Sequence, residues 1–170
     1  MQRSPSPDDF PFLGADLALD HRHGGGFWED ADLRAGGRQA TGRRDLATVA
    51  GLDNLQQALI HRLKTHHGEL AALGHPEFGS RHHELIGEPN TERTRNLIKL
   101  RVLQALRREP RVTSVLRLDV RPAHRPPRDT VRIEAELEII DQPEPLALVV
   151  PFSLVGPAEA VADETSRSVR

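Results

Sequence analysis

Residues 131–154 read VRIEAELEIIDQPEPLALVVPFSL, and this stretch decides the fold class. Apolar and charged residues alternate along 131–139, and apolar residues again occupy every second position from 146 to 154. Because successive side chains of a strand point to opposite faces, each apolar set lies on one face of a sheet. The short connection at 141–145 favours antiparallel neighbours. A third alternating run precedes them, with its apolar residues at Leu116, Leu118 and Val120.

Two amphipathic helices are predicted before the strands, at about 53–66 and 91–108. Asp53, three residues before Gln56, is typical of a capping box, whereas Asn90 or Thr91 caps the second helix and Pro110 ends it. The apolar positions expected to face the core are Leu52, Leu55, Leu59 and Leu63 in the first helix and Leu97, Ile98, Val102, Ala105 and Leu106 in the second, which Leu100 and Leu103 widen.

These helices are the available cover for the apolar face of the sheet. The predicted fold class is therefore α+β, a small antiparallel sheet of three to four strands with two main helices packed on one face, plus an extended N-terminal arm. The predicted division is an extended, partly disordered arm at 1–44, an α+β domain at 45–155 and a disordered tail at 156–170. Aromatic residues such as Phe12, Phe27 and Trp28 are expected to anchor the arm.

Composition narrows the function. The net charge is -2, with 23 basic and 25 acidic residues, which argues against nucleic acid as a partner. There is no Cys, so disulfides, Cys-ligated zinc and thiol catalysis are excluded. The longest apolar run, 146–150, is far shorter than a membrane span, and the N-terminal residues do not resemble a signal peptide. We therefore expect that the protein does not insert into a membrane and that it assembles in the cytoplasm.

The loop region 66–88 is rich in groups that bind metals or act as acids. It contains His66, His67, His75, His82 and His83 together with Glu69, Glu84 and Glu88. A zinc site needs three or four converging ligands, and adjacent histidines are expected to point apart. We therefore interpret the histidines as solvated surface residues and expect no catalytic, cofactor-binding or metal-ligating residues.

The tripeptide Glu109-Pro110-Arg111 lies at the junction of the second helix and the first long strand. Proline fixes the direction of the chain there, and Arg111 can form a bidentate pair with a carboxylate. A surface ion pair at a helix stop explains it equally well. The following proline-rich loop, 121–129, carries several arginines that suit either an acidic partner or the acidic stripe of the neighbouring strand.

Four short motifs, in order, resemble the GPW family of baseplate wedge proteins from contractile phage tails and extracellular contractile injection systems, which are related to the type VI secretion wedge component. They are Phe12-Leu13-Gly14 with Asp16-Leu17-Ala18-Leu19, Arg62-Leu63-Lys64-Thr65 with Gly68-Glu69, Pro76-Glu77-Phe78-Gly79-Ser80, and Glu109-Pro110-Arg111-Val112. The resemblance covers about 10–154. The sequences of residues 73–76 and 85–90 resemble those of family members from extracellular contractile injection systems more than those from typical phages.

This resemblance implies a structural protein of the inner baseplate, present in multiple copies in a six-fold particle. It implies that the chain joins wedge subunits and starts the sheath when a sheath strand adds to its sheet. The implied partners are other wedge subunits and the sheath protein, with spike, hub or inner-tube initiator proteins as further candidates. The expected partner-binding residues are Glu109, Pro110, Arg111, Leu146, Leu148 and Val150.

Two other functions stay open from the sequence. The His and Glu residues at 66–88 would suit a metal- or carboxylate-dependent, lysozyme-like hydrolase. A free sheet edge would also suit a small adaptor that binds a regulator.

Overall fold

The computed structural model describes residues 11–24, 27–38, 44–123 and 129–155. Two α-helices lie in this part of the chain, α1 (Leu52–Lys64) and α2 (Glu92–Leu106). The strands are β1 (Ala15–Leu17), β2 (Leu19–Gly24), β3 (Phe27–Leu33), β4 (Ala35–Arg38), β5 (Arg44–Leu46), β6 (Thr48–Ala50), β7 (Val112–Pro122), β8 (Thr130–Ile139) and β9 (Leu146–Ser153). Short 3-10 helices span Ala71–Leu73 and Arg81–Leu85 between α1 and α2.

The three long strands form one antiparallel sheet in the order β7-β8-β9. β8 and β9 pair without interruption from Thr130↔Ser153 to Leu137↔Leu146. The alternation in 131–139 and 146–154 is confirmed, because Ile133, Leu137 and Leu148 are at most 1% exposed.

Both helices pack on this sheet and enclose a single apolar core. α2 lies against β7, and α1 contacts α2 and β9. The core unites Leu55, Leu59 and Leu63 of α1 with Ile98, Val102 and Leu106 of α2 and the inward residues of the sheet. The predicted α+β class with two main helices and a small antiparallel sheet is confirmed.

One predicted core residue of β7 lies outside the core. Leu116 is 53% exposed, whereas Leu118 is 6% exposed. The register shifts between Val115 and Arg117, which pair with consecutive residues of β8, so Leu116 is the extra residue of a β-bulge. A bulge breaks the period of two and turns one side chain out of sequence. The simple alternation of 116–120 was therefore wrong at its first member.

The N-terminal cap of one helix agrees with the sequence prediction, and that of the other helix does not. Thr91 caps α2 as predicted, since its side chain accepts a hydrogen bond from the backbone N–H of Thr94. The predicted capping box of α1 is wrong, because the N-cap is Gly51, which has a φ of 66° and makes no side-chain cap bond, while Asp53 lies within the first turn. Leu97 and Leu100 are 37% and 47% exposed, so the apolar face of α2 is narrower than predicted.

The described part of the arm forms short antiparallel pairs, β2 with β3 inside it, and β1 and β4 with β6 and β5 of the segment that follows. The sequence predicted none of these pairings. α1 holds the arm, because Nδ2 of Asn54 donates to the carbonyl of Leu13 at 2.7 Å. Leu13 is buried, whereas Phe12 is 55% exposed, so the anchor is Leu13 and the aromatic role given to Phe12 was wrong. The side chains of Phe27 and Trp28, like the tail at 156–170, lie outside the described set.

Candidate functional site

The outer edge of β9 is defined by its hydrogen-bonding phase. The backbone N–H of Leu154 donates to the carbonyl of Asp129 at 2.8 Å, which marks those opposite residues as a hydrogen-bonded pair. Hydrogen-bonded and non-hydrogen-bonded pairs alternate along an antiparallel ladder. The main-chain groups of Leu146, Leu148 and Val150 therefore point to β8, and those of Ala147 and Val149 point away from it.

Pro151 agrees with this phase. It shares the outward phase of Val149, so the N–H that proline lacks is one that β8 does not need. Proline within a sheet is found at such edge positions. The first two outward N–H groups of β9 are consequently those of Ala147 and Val149. The next outward position is Pro151, which has no N–H.

Three of the residues expected to bind a partner, Leu146, Leu148 and Val150, lie in β9. Their side chains face the core and their main-chain groups face β8, so neither is presented at the outer edge of the strand. Leu148 and Val150 are 1% and 4% exposed and pack in the core, and Leu146 is half-buried against it. Val149 is 43% exposed on the opposite face of the sheet. Sequence reasoning chose the apolar set and missed Ala147 and Val149, which the phase of pairing identifies.

The other margin of the sheet, β7, is less regular. Its pairing with β8 shifts register twice, between Val112 and Ser114 and between Val115 and Arg117, and α2 packs against it. Bulges of this kind disrupt an edge for strand addition. β3 approaches β9, but among the described residues β3 is paired with β2 and β9 with β8.

Glu109 is the centre of a buried ion network. Glu109 is 6% exposed, and its carboxylate accepts hydrogen bonds from Nη2 of Arg62 at 3.0 Å and from Nε of Arg111 at 2.6 Å. Nη1 of Arg111 also reaches the carbonyl of Leu13 at 3.4 Å, and the Arg62 guanidinium stacks 4.6 Å above the Phe78 ring. Pro110 is exposed beside this network.

The charge state of Glu109 follows from these contacts. Burial favours the neutral acid, but the hydrogen bonds and charges of Arg111 and Arg62 outweigh it and lower the pKa of Glu109 below its ordinary value of 4.5. The carboxylate is thus ionised and held between two cations. Glu109 and Arg111 therefore connect the end of α2 to α1 and to the arm through buried contacts, and the ion pair is not a surface one.

The histidines of the central loop are not all solvated, which corrects the sequence interpretation. His82 is 1% exposed, and its Nδ1 lies 2.8 Å from the Ser80 hydroxyl. The His83 ring stacks on His66 with centroids 4.3 Å apart, and its centroid lies 4.2 Å from that of His82. Ser80 precedes the 3-10 turn at Arg81–Leu85, and its hydroxyl makes no cap bond to the backbone.

Burial, followed by the neighbouring His83 and His66, lowers the pKa of His82 well below its ordinary value of 6.5. Burial also lowers the pKa of His83, although its hydrogen bond to the carbonyl of Leu63, at 2.7 Å, opposes the change. Both rings are therefore neutral at pH 7.

The remaining candidates are less organised. In the described ranges, no three His, Asp or Glu side chains converge as metal ligands would. Glu69 accepts from the backbone N–H of His66, and Glu84 lies 3.9 Å from Arg101. Residues 124–128 of the proline-rich loop fall outside the described ranges.

No described helix is both long enough and apolar enough to cross a bilayer.

The sequence matches the family model described as baseplate wedge protein gp25 over residues 49–144, more than half of the 170-residue chain. The chain belongs to this family. The match runs from β6 through both helices to the connection before β9, so the predicted resemblance is confirmed. As a baseplate wedge protein, the chain is a structural component of a phage-tail-like particle and contacts other baseplate components.

The fold is similar to that of a solved structure. It is a crystal structure of a protein assigned as a tail lysozyme from Geobacter sulfurreducens, with a TM-score of 0.53 and 23% sequence identity. The alignment covers 62% of this chain and 92% of the other. At this identity the likeness shows the fold alone. Among curated proteins, none matches the chain.

Proposed function

We propose that this baseplate wedge protein joins wedge subunits and initiates the sheath by accepting a strand of the sheath protein along β9. The observation that carries the proposal is the outward phase of Ala147 and Val149 at the margin of the sheet. Their main-chain groups form a short template for β-augmentation, in which backbone hydrogen bonds give affinity and alternating side chains give register.

The residues around this edge suit a permanent docking site. Leu148 and Val150 bury their side chains beneath it and hold β9 against α1. Val149 exposes an apolar surface beside the template, where an incoming strand can pack. The β8–β9 register has no shift over the length of the template, so its outward groups alternate regularly.

The Glu109 network has a supporting part in this proposal. It ties the arm to the helix ends through Arg111 and Leu13, and the exposed Pro110 presents a rigid surface there. We assign Glu109 and Arg111 to shaping this end of the domain for another wedge subunit.

A single main-chain substitution tests the strand-addition step. Val149→Pro removes the outward N–H at the centre of the template and leaves the β8 ladder intact. Val149→Thr keeps the N–H and the β-branched shape and is the matched control. We expect particles carrying Val149→Pro to retain baseplates but to lack sheath by electron microscopy, and particles with Val149→Thr to be normal.

Folding of both variants is checked by circular dichroism and by thermal melting. Ala147→Pro, at the other outward position, gives a second reading if the first variant unfolds. Full-length sheath on baseplates that carry a folded Val149→Pro chain would show that sheath initiation uses another surface.

The proposed role is non-enzymatic, and the lysozyme-like alternative has a direct assay. Purified protein incubated with cell-wall sacculi should release no soluble fragments above a heat-treated sample. Release that disappears with Glu84→Gln or with His83→Gln would instead establish hydrolysis by the 66–88 region.

A further inference from the structure

A basic cleft lies between α2 and the loop that follows α1, and no residue of β9 lines it. It has a volume of about 430 Å³. Six of its lining residues carry the argument, namely His67, Arg81, Arg101, Gln104, Arg107 and Arg108. We name this feature the arginine cleft.

The wall formed by α2 follows from helical spacing. Arg101 and Gln104 are three residues apart and so share one face of α2, and Arg107 and Arg108 continue the wall in the turn after the helix ends at Leu106. The lining contains four arginines and no acidic residue.

The opposite wall is held rigidly. The Ser80 N–H donates to the carbonyl of Thr65 at 2.9 Å, and the His67 N–H donates to the carbonyl of Ser80 at 3.3 Å. Gly79 makes this approach possible, because a Cβ there would meet the backbone of Thr65 and His66. His67 and Arg81 are thereby placed on either side of a fixed backbone bridge.

The charges of the cleft are only partly balanced. Arg108 pairs with Glu77 at 3.0 Å and donates to Nε2 of His67 at 2.7 Å, and Arg101 lies 3.9 Å from Glu84. Within the described residues Arg81 and Arg107 have no carboxylate partner. Two exposed guanidinium groups therefore remain in a concave site of a protein whose net charge is -2.

We propose that the arginine cleft binds a carboxylate-rich segment of a neighbouring baseplate subunit. The planar guanidinium fork matches a carboxylate in two parallel hydrogen bonds. Nucleic acid is the less favoured occupant, because a chain with a net charge of -2 lacks the basic excess that a phosphate backbone attracts. The identity of the partner rests on the proposed baseplate function, whereas the acidic recognition rests on the cleft itself.

The binding test uses the isolated full-length chain and a fluorescein-labelled deca-glutamate peptide, followed by fluorescence anisotropy. We expect saturable binding that weakens with added salt and that falls about tenfold in the double variant Arg81→Ala/Arg107→Ala. Gln104→Glu, which adds a carboxylate to the cleft and removes no arginine, should also weaken binding.

The matched control is Arg117→Ala/Arg132→Ala, which removes the same charge from the exposed face of the sheet. It should keep the affinity of the natural chain. The proposal is overturned by absence of saturable binding, by equal loss in both double variants, or by tighter binding of a labelled oligothymidylate that the Arg81/Arg107 variant abolishes.

The partner is tested in particle-producing cells by replacing Gln104 with p-benzoylphenylalanine and mapping the photocrosslink by mass spectrometry. We expect a crosslink to an acidic segment of a baseplate subunit. A crosslink to a segment without carboxylates, to nucleic acid, or to no baseplate subunit overturns the assignment. Neither experiment depends on strand addition at Val149, so the cleft and the sheath proposal fail separately.

Discussion

The carboxylate of Glu109 accepts a hydrogen bond from Arg62 at 3.0 Å, which fixes the end of α2 to the last turn of α1. The two residues are 47 positions apart in the sequence, and both side chains are at most 10% exposed. A buried ion pair is costly to break one-sidedly, because the remaining charge stays in a poorly solvated site. This pair therefore couples helix packing to the junction where the sheet begins.

Glu109→Gln should destabilise the domain, because it leaves Arg62 and Arg111 without a counter-charge. We expect a loss of about 3 kcal/mol in the free energy of unfolding, measured by urea denaturation. Glu138→Gln, at an exposed carboxylate of β8, is the control and should stay within about 0.5 kcal/mol of the natural chain. Equal stability of the two variants would contradict a structural role for the network.

The same network predicts acid sensitivity. The pKa of Glu109 is lowered in the folded chain, so the unfolded chain binds the proton first as pH falls. The stabilisation is complete above the ordinary value of 4.5 and is lost as pH falls through the lower, folded pKa. Denaturation at a series of acid pH values should show a shallower decline for Glu109→Gln than for the natural chain.

Alanine substitutions at Gly74 and Gly79 distinguish the cost of a positive φ from the cost of a steric overlap. Both have positive φ, 95° and 87°, but a Cβ at Gly79 would overlap the backbone of His66, whereas a Cβ at Gly74 would meet no atom within 4 Å. Gly74→Ala should cost about 1 kcal/mol through conformation alone. Gly79→Ala should cost at least about 2 kcal/mol more, because the backbone bridge must open. Similar melting temperatures for the two variants would refute the close approach.

The β-bulge in β7 is tested by two neighbouring leucines. Leu118→Ala removes a core side chain and should lower the free energy of unfolding by about 3 kcal/mol. Leu116→Ala alters an exposed side chain and should change it by less than about 0.5 kcal/mol. Similar losses for the two variants in chemical denaturation would instead support the uninterrupted alternation that the sequence predicts.

The buried imidazole of His82 predicts a second pH dependence. Its lowered pKa means that, below pH 6.5, the unfolded chain binds a proton that the folded chain excludes. Stability should thus fall as pH drops from 6.5, by up to about 1.4 kcal/mol per pH unit for this residue. His82→Gln should reduce this slope in denaturation experiments, whereas a substitution at the exposed His75 should leave it unchanged. An equal slope for all three chains would argue against a neutral, buried His82.

Some of this structure was accessible from short-range patterns. The cap at Thr91 depends on residues within one helical turn, and the pairing of β8 with β9 depends on two uninterrupted alternating runs and a short connection. The Glu109-Pro110-Arg111 motif was identified as a candidate, but its depth in the domain was not. Its partners, Arg62 and Leu13, come from distant parts of the chain, and no local spacing brings them together.

The sequence by itself determined the two amphipathic helices, the antiparallel strands and the family motifs, because helical and strand periods act over a few neighbouring residues. Tertiary structure decided that Leu116 turns outward, that His82 is buried, that Ala147 and Val149 carry the outward edge, and that Arg81 faces α2 across a cleft. Each of these depends on the register between strands or on the packing of distant segments. Register and packing minimise the free energy of the whole domain, so a window of neighbouring residues does not contain them.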